Sequence, residues 1–366
     1  MNIVCDENIT FANEAFSRFG KLTLLPGRRI ENSHLTKADI LIVRSVTDVN
    51  EKLLKGTNIK FVGTATIGTD HLNKEYLLNK GITYASAPGC NSIAVSEWVI
   101  TSVLSIISQF NLEPKTAAVI GHGNIGSKVT NIFNALGITV KVVDPPKAEI
   151  ENRTDFYSID EVLGCDILTF HTPIIKSGKY PTYHLMNEDR LSKLNTNAIL
   201  LNSSRGAVVD NKALLKVLSN KCIFTAFDVF ENEPVMDLDL LCKLNIATPH
   251  IAGYSLEGKV NGTKMIYDQI CDFLNVDKTW EPDLPKLDSN LLSPLDSSAY
   301  KLLNDIIQRM YPIKNDDAAL RTNPNSFDLL RKNYKARREF NNYSFAGISV
   351  PKKLHPFLNA LRINII

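Results

Sequence analysis

Long unbroken apolar runs are missing from this 366-residue chain. Its most apolar stretch, residues 93–107, is interrupted by Ser96, Glu97, Thr101, Ser102 and Ser105, so it falls short of the roughly 18 apolar residues of a membrane span. The opening MNIVCDENIT has neither a basic patch nor an apolar core, and no secretory signal is expected. An excess of one charge is also lacking. The 41 Lys and Arg against 39 Asp and Glu leave +2, too little for a field that gathers nucleic acid. The six cysteines (5, 90, 165, 222, 242 and 271) include no close pair of the kind zinc or thiol-redox motifs use. Repeats of about 20–50 residues and low-complexity tracts are absent. The expectation is a cytoplasmic protein with reduced thiols, no metal site, no membrane and no nucleic-acid partner.

The composition is that of an ordinary folded protein, 44% apolar and 22% charged. At about 150 residues per domain, the length predicts two to three domains. Short apolar segments at residues 2–5, 22–25, 40–43, 60–62 and 82–84 alternate with helical stretches. Phe11, Ala15 and Phe19 share one helical face that ends at Gly20, and Gly56 and Gly81 sit where helix C-caps belong. Residues 91–110 read as one long helix leading into a second domain. Strands follow at 116–120, 138–143, 166–170, 198–202, 222–227 and 245–247, with helices at 186–194 and 211–218. A helical stretch from 256 to 274 has no strand partner and is expected to return to the first domain. Strands alternating with helices predict an α/β protein with parallel sheets.

From about residue 282 the composition shifts to Pro, Asp and Ser. Residues 285–366 hold 13 Lys and Arg against 7 Asp and Glu, an excess of +6. Arg331, Lys332, Lys335, Arg337 and Arg338 cluster beside Leu329, Leu330, Tyr334 and Phe340. That pattern reads as the solvated face of a packed helix, or a site for a small anion, ahead of a nucleic-acid patch.

The chemistry is concentrated in four segments. GHGNIG (121–126) follows the strand TAAVI, opens a helix, and precedes a second strand ending at Asp144. In that setting Gly121 permits the tight turn, Gly123 admits a pyrophosphate to the backbone, and Gly126 lets helix and strand approach; Asn124 and Ile125 complete the loop. Asp144 is placed to accept from both ribose hydroxyls and to repel a 2′-phosphate, which points to NAD rather than NADP. His122 reads as a loop residue. LLNSSRGAVVD (200–210), FDVFENEP (227–234) and TPHIAGYS (248–255) then supply Arg205, two candidate acids in Glu231 and Glu233, and His250 at predicted strand ends. A His suits the removal of a hydroxyl proton near neutral pH, and an Arg offers a planar fork for a carboxylate.

Together these segments resemble the D-isomer-specific 2-hydroxyacid dehydrogenases over residues 1 to about 280. The resemblance implies a flavodoxin-like substrate domain (1–92 and 256–284) and a Rossmann NAD-binding domain (93–255). It also implies a small α+β C-terminal dimerisation domain (285–366) and hence a homodimer. Arg205, Glu233 and His250 match the family's catalytic positions, the acid directly before Pro234 being the His partner. Asp228 matches a nicotinamide-side contact, and Thr172, Ser203, Ser204 and Gly253 match further cofactor contacts. A narrower likeness is carried by VRSVT (43–47), GTATIGTDH (63–71), HTP (171–173) and HIAGYS (250–255). It implies a phosphorylated four-carbon 2-hydroxy acid as substrate, touched by Ser45, Thr66 and Tyr254. Arg44 is the first candidate for the phosphate, Arg337 or Arg338 the second. Another dehydrogenase of the family, such as one acting on 3-phosphoglycerate, shares the triad. An NAD-sensing binding protein is the reading from a different class.

Overall fold

Every strand pairing in the two larger sheets is parallel, as the alternation of strands and helices predicts. The computed structural model describes residues 1–287, 291–292, 299–345 and 351–365. They divide into two units, one of residues 1–91 with 255–286, the other of 92–254 with 287–366.

The first unit holds β1 (Asn2–Asp6), β2 (Lys21–Leu25), β3 (Ile40–Val43), β4 (Phe61–Thr64) and β5 (Thr83–Ala85). Their order, β2-β1-β3-β4-β5, is that of flavodoxin-like sheets. Successive side chains alternate between two cores, since a strand repeats every two residues. Ile3, Cys5, Ile40 and Ile42 join Ile266, Tyr267 and Ile270 of the helix Leu256–Leu274, whereas Val4, Leu41 and Val43 join Leu53, Leu54 and Leu77. That helix is capped by the Ser255 hydroxyl, which accepts from the Gly258 N–H at 2.8 Å.

The second unit holds β6 (Thr116–Ile120), β7 (Thr139–Val143), β8 (Ile167–Phe170), β9 (Ile199–Asn202), β10 (Phe224–Phe227) and β11 (Ile246–Ala247), ordered β11-β10-β9-β8-β6-β7. The order reverses between β6 and β8, the switch point beside which sheets of this type bind ligands. GHGNIG leaves β6 there and His171 with Thr172 leave β8. Both faces of the sheet are covered: Ala117, Val119, Ile199 and Leu201 face one core, Ala118, Ile120, Leu168 and Leu200 the other.

The helix Ser92–Phe110 corrects one expectation. By length and composition it does match a membrane span, but most of it is buried in the protein. Its interrupting hydroxyls do not keep it out of the core, because they bond back along the helix. Ser96 donates to the Ile93 carbonyl, Thr101 to that of Glu97 and Ser102 to that of Trp98, at 2.7–2.9 Å. Val99, Val103 and Ile107 pack in one core with Leu303, Ile306, Ile307 and Met310 of the helix Ala299–Met310. The C-terminal segment thus shares a hydrophobic core with the six-stranded sheet.

That segment adds β12 (Leu291–Leu292), β13 (Ser344–Phe345) and β14 (Asn364–Ile365) in a parallel three-stranded sheet, a detail too short for periodicity to announce. Its basic cluster is a solvated face only in part: Lys332 and Lys335 are exposed, Arg337 is not. The helix Phe327–Lys332 stops before Arg337, whose side chain is 6% exposed and paired with Glu97, itself 2% exposed. Arg337 also donates to the Ala94 carbonyl at 2.6 Å and lies over the Tyr311 ring. A carboxylate buried in an apolar helix requires a cation, so Arg337 is committed inward and the expectation that it binds a substrate phosphate is corrected. All six cysteines are free thiols; Cys222 and Cys242 are exposed.

Candidate active site

His250 enters its position through its backbone. Its φ is 54°, in the left-handed region where His is enriched among residues other than glycine, and its N–H donates to the carbonyls of Asp228 and Thr248. The turn that results carries Gly253 and Tyr254, with the Tyr254 N–H donating to the Ile251 carbonyl at 2.8 Å. Asp228, at the end of β10 and 1% exposed, organises the turn. Its Oδ1 accepts from the Thr248 hydroxyl at 2.6 Å and the Ile251 N–H at 2.8 Å, and its Oδ2 accepts from the Ala252 N–H at 2.9 Å. Burial pushes the Asp228 carboxyl up; His250 and these donors oppose that rise. Trp98 contributes an Nε1–H bond of 3.0 Å to Thr248 Oγ1. Sequence reasoning missed this arm, since no local signal links residues 150 apart.

Glu233 Oε2 lies 2.7 Å from His250 Nδ1, and Glu233 Oε1 accepts from the Phe230 N–H at 2.7 Å. Burial works to raise the Glu233 carboxyl, but His250, the Phe230 N–H and the Arg331 cation outweigh it and hold it below the usual range. With Nδ1 engaged, Nε2 is the nitrogen available for proton transfer. Glu231, the other candidate acid, faces elsewhere. Its Oε1 meets His184 Nε2 at 3.0 Å and accepts from the Asn211 N–H at 2.8 Å. His184, Asp210 and Glu231 bring ligand-type atoms within 4.8 Å of one another, but Asp210 caps the helix Asn211–Leu218 and the group acts as a brace between loops.

Arg205 follows β9, where buried Asn202 shapes the loop. Asn202 Oδ1 accepts from the Ser204 N–H and hydroxyl, and its Nδ2 donates to the Arg205 carbonyl. Gly206 permits the next contact: a Cβ there would stand 2.0 Å from the Phe230 carbonyl carbon. The Arg205 loop and the Glu233 loop therefore lie backbone to backbone.

The residues expected to hold NAD fit that cofactor. At Gly121, with φ +91°, a Cβ would come within 2.6 Å of the His171 carbonyl oxygen, and at Gly126 it would overlap that of Gly121. At Gly123 it would meet nothing, so the open side of the turn lies there. Asp144 Oδ2 accepts from the His122 N–H at 2.8 Å and Oδ1 from the Lys147 N–H at 3.1 Å, which fixes the carboxylate while leaving lone pairs for ribose hydroxyls. Thr172 Oγ1 and Ser203 Oγ are buried without a hydrogen-bond partner, the kind of orphan that a ligand satisfies.

Next to Thr172, His171 is held by Thr169 Oγ1 at 3.1 Å, and burial pushes its imidazole down to about 3. The unfolded chain, with an ordinary His, binds a proton below about pH 6.5 that the folded chain refuses. Stability from this group is therefore present above pH 6.5 and lost on acidification, by about 1.4 kcal/mol per pH unit down toward pH 3. Urea unfolding at pH 7 and pH 5.5 should show a smaller loss in His171→Gln than in the parent chain; equal losses would contradict it.

Ser45 and Thr66 belong to the first unit. Ser45 is exposed in the turn after β3, and Thr66 Oγ1 bonds Thr64 Oγ1 at 2.8 Å and the Gly68 carbonyl at 3.0 Å. In the same unit Lys259, which the sequence reading missed, is pushed down to about 8 by burial and by the neighbouring Arg44 charge.

Comparison with known proteins identifies the family. Residues 91–252 match the D-isomer specific 2-hydroxyacid dehydrogenase NAD-binding domain, and residues 284–356 match a domain of unknown function, DUF3410. D-lactate dehydrogenase from Aquifex aeolicus, solved with NAD and lactic acid, superposes with a TM-score of 0.64 at 25% identity, over 75% of this chain and 96% of that one. The NAD-bound 3-phosphoglycerate dehydrogenase of Entamoeba histolytica shares the fold, with a TM-score of 0.64 at 23% identity over 75% of this chain and 95% of that one. The class is an NAD-dependent dehydrogenase acting on a CH–OH group. Erythronate-4-phosphate dehydrogenase of Escherichia coli is 45% identical over 352 residues, 93% of this chain and 92% of that protein, and that of Shigella boydii is 44% identical over the same shares. The chain belongs to the erythronate-4-phosphate dehydrogenase family.

Proposed function

We propose that this dehydrogenase oxidises 4-phospho-D-erythronate at C2 to 3-hydroxy-2-oxo-4-phosphooxybutanoate, a step in the biosynthesis of pyridoxal 5′-phosphate (vitamin B6). The observation that carries this reading is identity of 45% sustained over 93% of the chain, beyond the three-quarters shared with the lactate and phosphoglycerate enzymes.

In this reading His250 Nε2 takes the C2 hydroxyl proton. Glu233, ionised beside Nδ1, holds the imidazole in the required tautomer and stabilises the imidazolium that forms. Arg205 clamps the substrate carboxylate through its planar fork. NAD, held by Gly121, Gly123, Asn124, Ile125, Gly126, Asp144, Thr172, Ser203, Ser204, Asp228 and Gly253, supplies the hydride acceptor when bound. Ser45, Thr66 and Tyr254 are assigned to the substrate by resemblance. Arg44 and Lys259 are the cations we assign to its phosphate, supported by the depressed Lys259 ammonium.

NADH formation measured with 4-phospho-D-erythronate and 3-phosphoglycerate in parallel, with a carbonyl trap, tests the assignment. Turnover confined to the four-carbon acid is expected. Turnover on 3-phosphoglycerate alone would overturn the substrate and keep the class, and NADH binding without turnover of either would favour a sensor.

We further propose a cytoplasmic homodimer formed through residues 285–366. Two-fold dimers are the commonest closed assembly, and six free thiols suit a reducing compartment. Sedimentation of the full chain as a monomer would sink the dimer. Deleting residues 285–366 should give an insoluble product, because the cut uncovers the apolar helix Ser92–Phe110.

A further inference from the structure

One side chain of the C-terminal segment reaches the turn that carries His250. Arg331, on the helix Phe327–Lys332, donates from Nη2 to the Tyr254 hydroxyl oxygen at 3.2 Å. Its guanidinium carbon lies 5.9 Å from the centroids of both the Tyr254 and Phe327 rings, and its side chain is 13% exposed. Asp328 is no strong partner, at 3.7 Å, and Arg331 Nε is buried without a hydrogen bond. The Tyr254 ring also meets Tyr334 edge-on, 6.1 Å between centroids. Two side chains of the C-terminal segment thus hold this tyrosine, four residues beyond His250.

The chemistry of the contact has a direction. A guanidinium has donors and no acceptor, so the Tyr254 oxygen accepts from Arg331 and the hydroxyl proton points away from it. A tyrosine restrained in this way offers its O–H to an acceptor, and a charged oxygen is the strongest acceptor it can meet. An arginine buried with one N–H unsatisfied is costly, and the Tyr254 and Phe327 rings and the nearby Glu233 carboxylate are what offset that cost.

We infer that Arg331 is a positioning residue that fixes the Tyr254 hydroxyl as a donor to an anionic oxygen of the substrate. The C-terminal segment thereby takes part in substrate recognition. The inference rests on the proposed function, in which Tyr254 touches a phosphorylated hydroxy acid.

Steady-state kinetics with 4-phospho-D-erythronate test it, beginning with the parent chain. Arg331→Met should raise KM about tenfold or more, the scale of one charge-assisted hydrogen bond, with a smaller fall in kcat because the Arg331 cation also acts on Glu233. Arg331→Lys should recover part of the loss, since an ammonium still donates to the tyrosine oxygen. Tyr254→Phe should reproduce the rise, and adding R331M to Y254F should raise KM no further. NADH binding and the melting temperature report whether each variant is folded. If R331M does not fold, R331K alone and in the Y254F background carries the test: its smaller KM rise should vanish when the hydroxyl is absent. An unchanged KM in the folded Arg331 variants, or additive effects in the double variant, would overturn the inference while leaving the proposed function intact. A parent chain inactive on the substrate would overturn both.

Discussion

Replacing His250 by Gln is expected to lower kcat by about 10³-fold, within the range a positioned general base contributes, and to leave NADH affinity unchanged. Glutamine keeps a polar group near Glu233 Oε2, which now lies 2.7 Å from His250 Nδ1, so the loop retains its anchor. What it cannot do is take a proton near neutral pH. The left-handed backbone at this position, φ 54°, favours His over Gln, so folding must be monitored beside activity. A folded His250→Gln enzyme within tenfold of the parent kcat would show that the proton leaves by another route.

Gly206→Ala should be nearly as damaging, though residue 206 carries no chemistry. The new Cβ would stand 2.0 Å from the carbonyl carbon of Phe230 and 2.5 Å from the Glu231 nitrogen, contacts that only backbone movement relieves. Phe230 donates its N–H to Glu233, so moving the loop moves the carboxylate that orients His250. Displacements of about 1 Å in a catalytic array cost on the order of 10²-fold, and that loss of kcat is expected here. Gly164→Ala is the matched control, because a Cβ at residue 164 meets only Asn195 Nδ2, at 3.9 Å, and the residue lies outside the site. A G206A enzyme with the parent kcat would show that the two loops move independently of their contact.

Much of the site was legible because its signals are local. GHGNIG, SSRG, the acid before Pro234 and HIAGYS each occupy a few consecutive residues at the end of a strand, and strands buried on both faces read as short apolar runs. The Asp144 carboxylate stands where the motif spacing puts it. Distant residues had no such signal. Trp98 supports Thr248, and through it Asp228, from 150 residues away. Arg331 reaches Tyr254 across 77 residues, and Arg337 reaches Glu97 across 240. The serines and threonines of the helix Ser92–Phe110 break the apolar run in the sequence, yet their bonds run within the helix and they sit in the core.

By itself, then, the sequence determined the parallel strands and their helices, the turn after β6, and where along the chain the residues proposed for proton, carboxylate and cofactor chemistry stand. These depend on side-chain period and short-range backbone geometry, which a few neighbouring residues specify. Only the tertiary structure decided which arginine is buried against Glu97 and which stands beside Tyr254. Such choices are made by packing, where a buried charge must find a partner wherever the chain brings one, and sequence separation carries no trace of it.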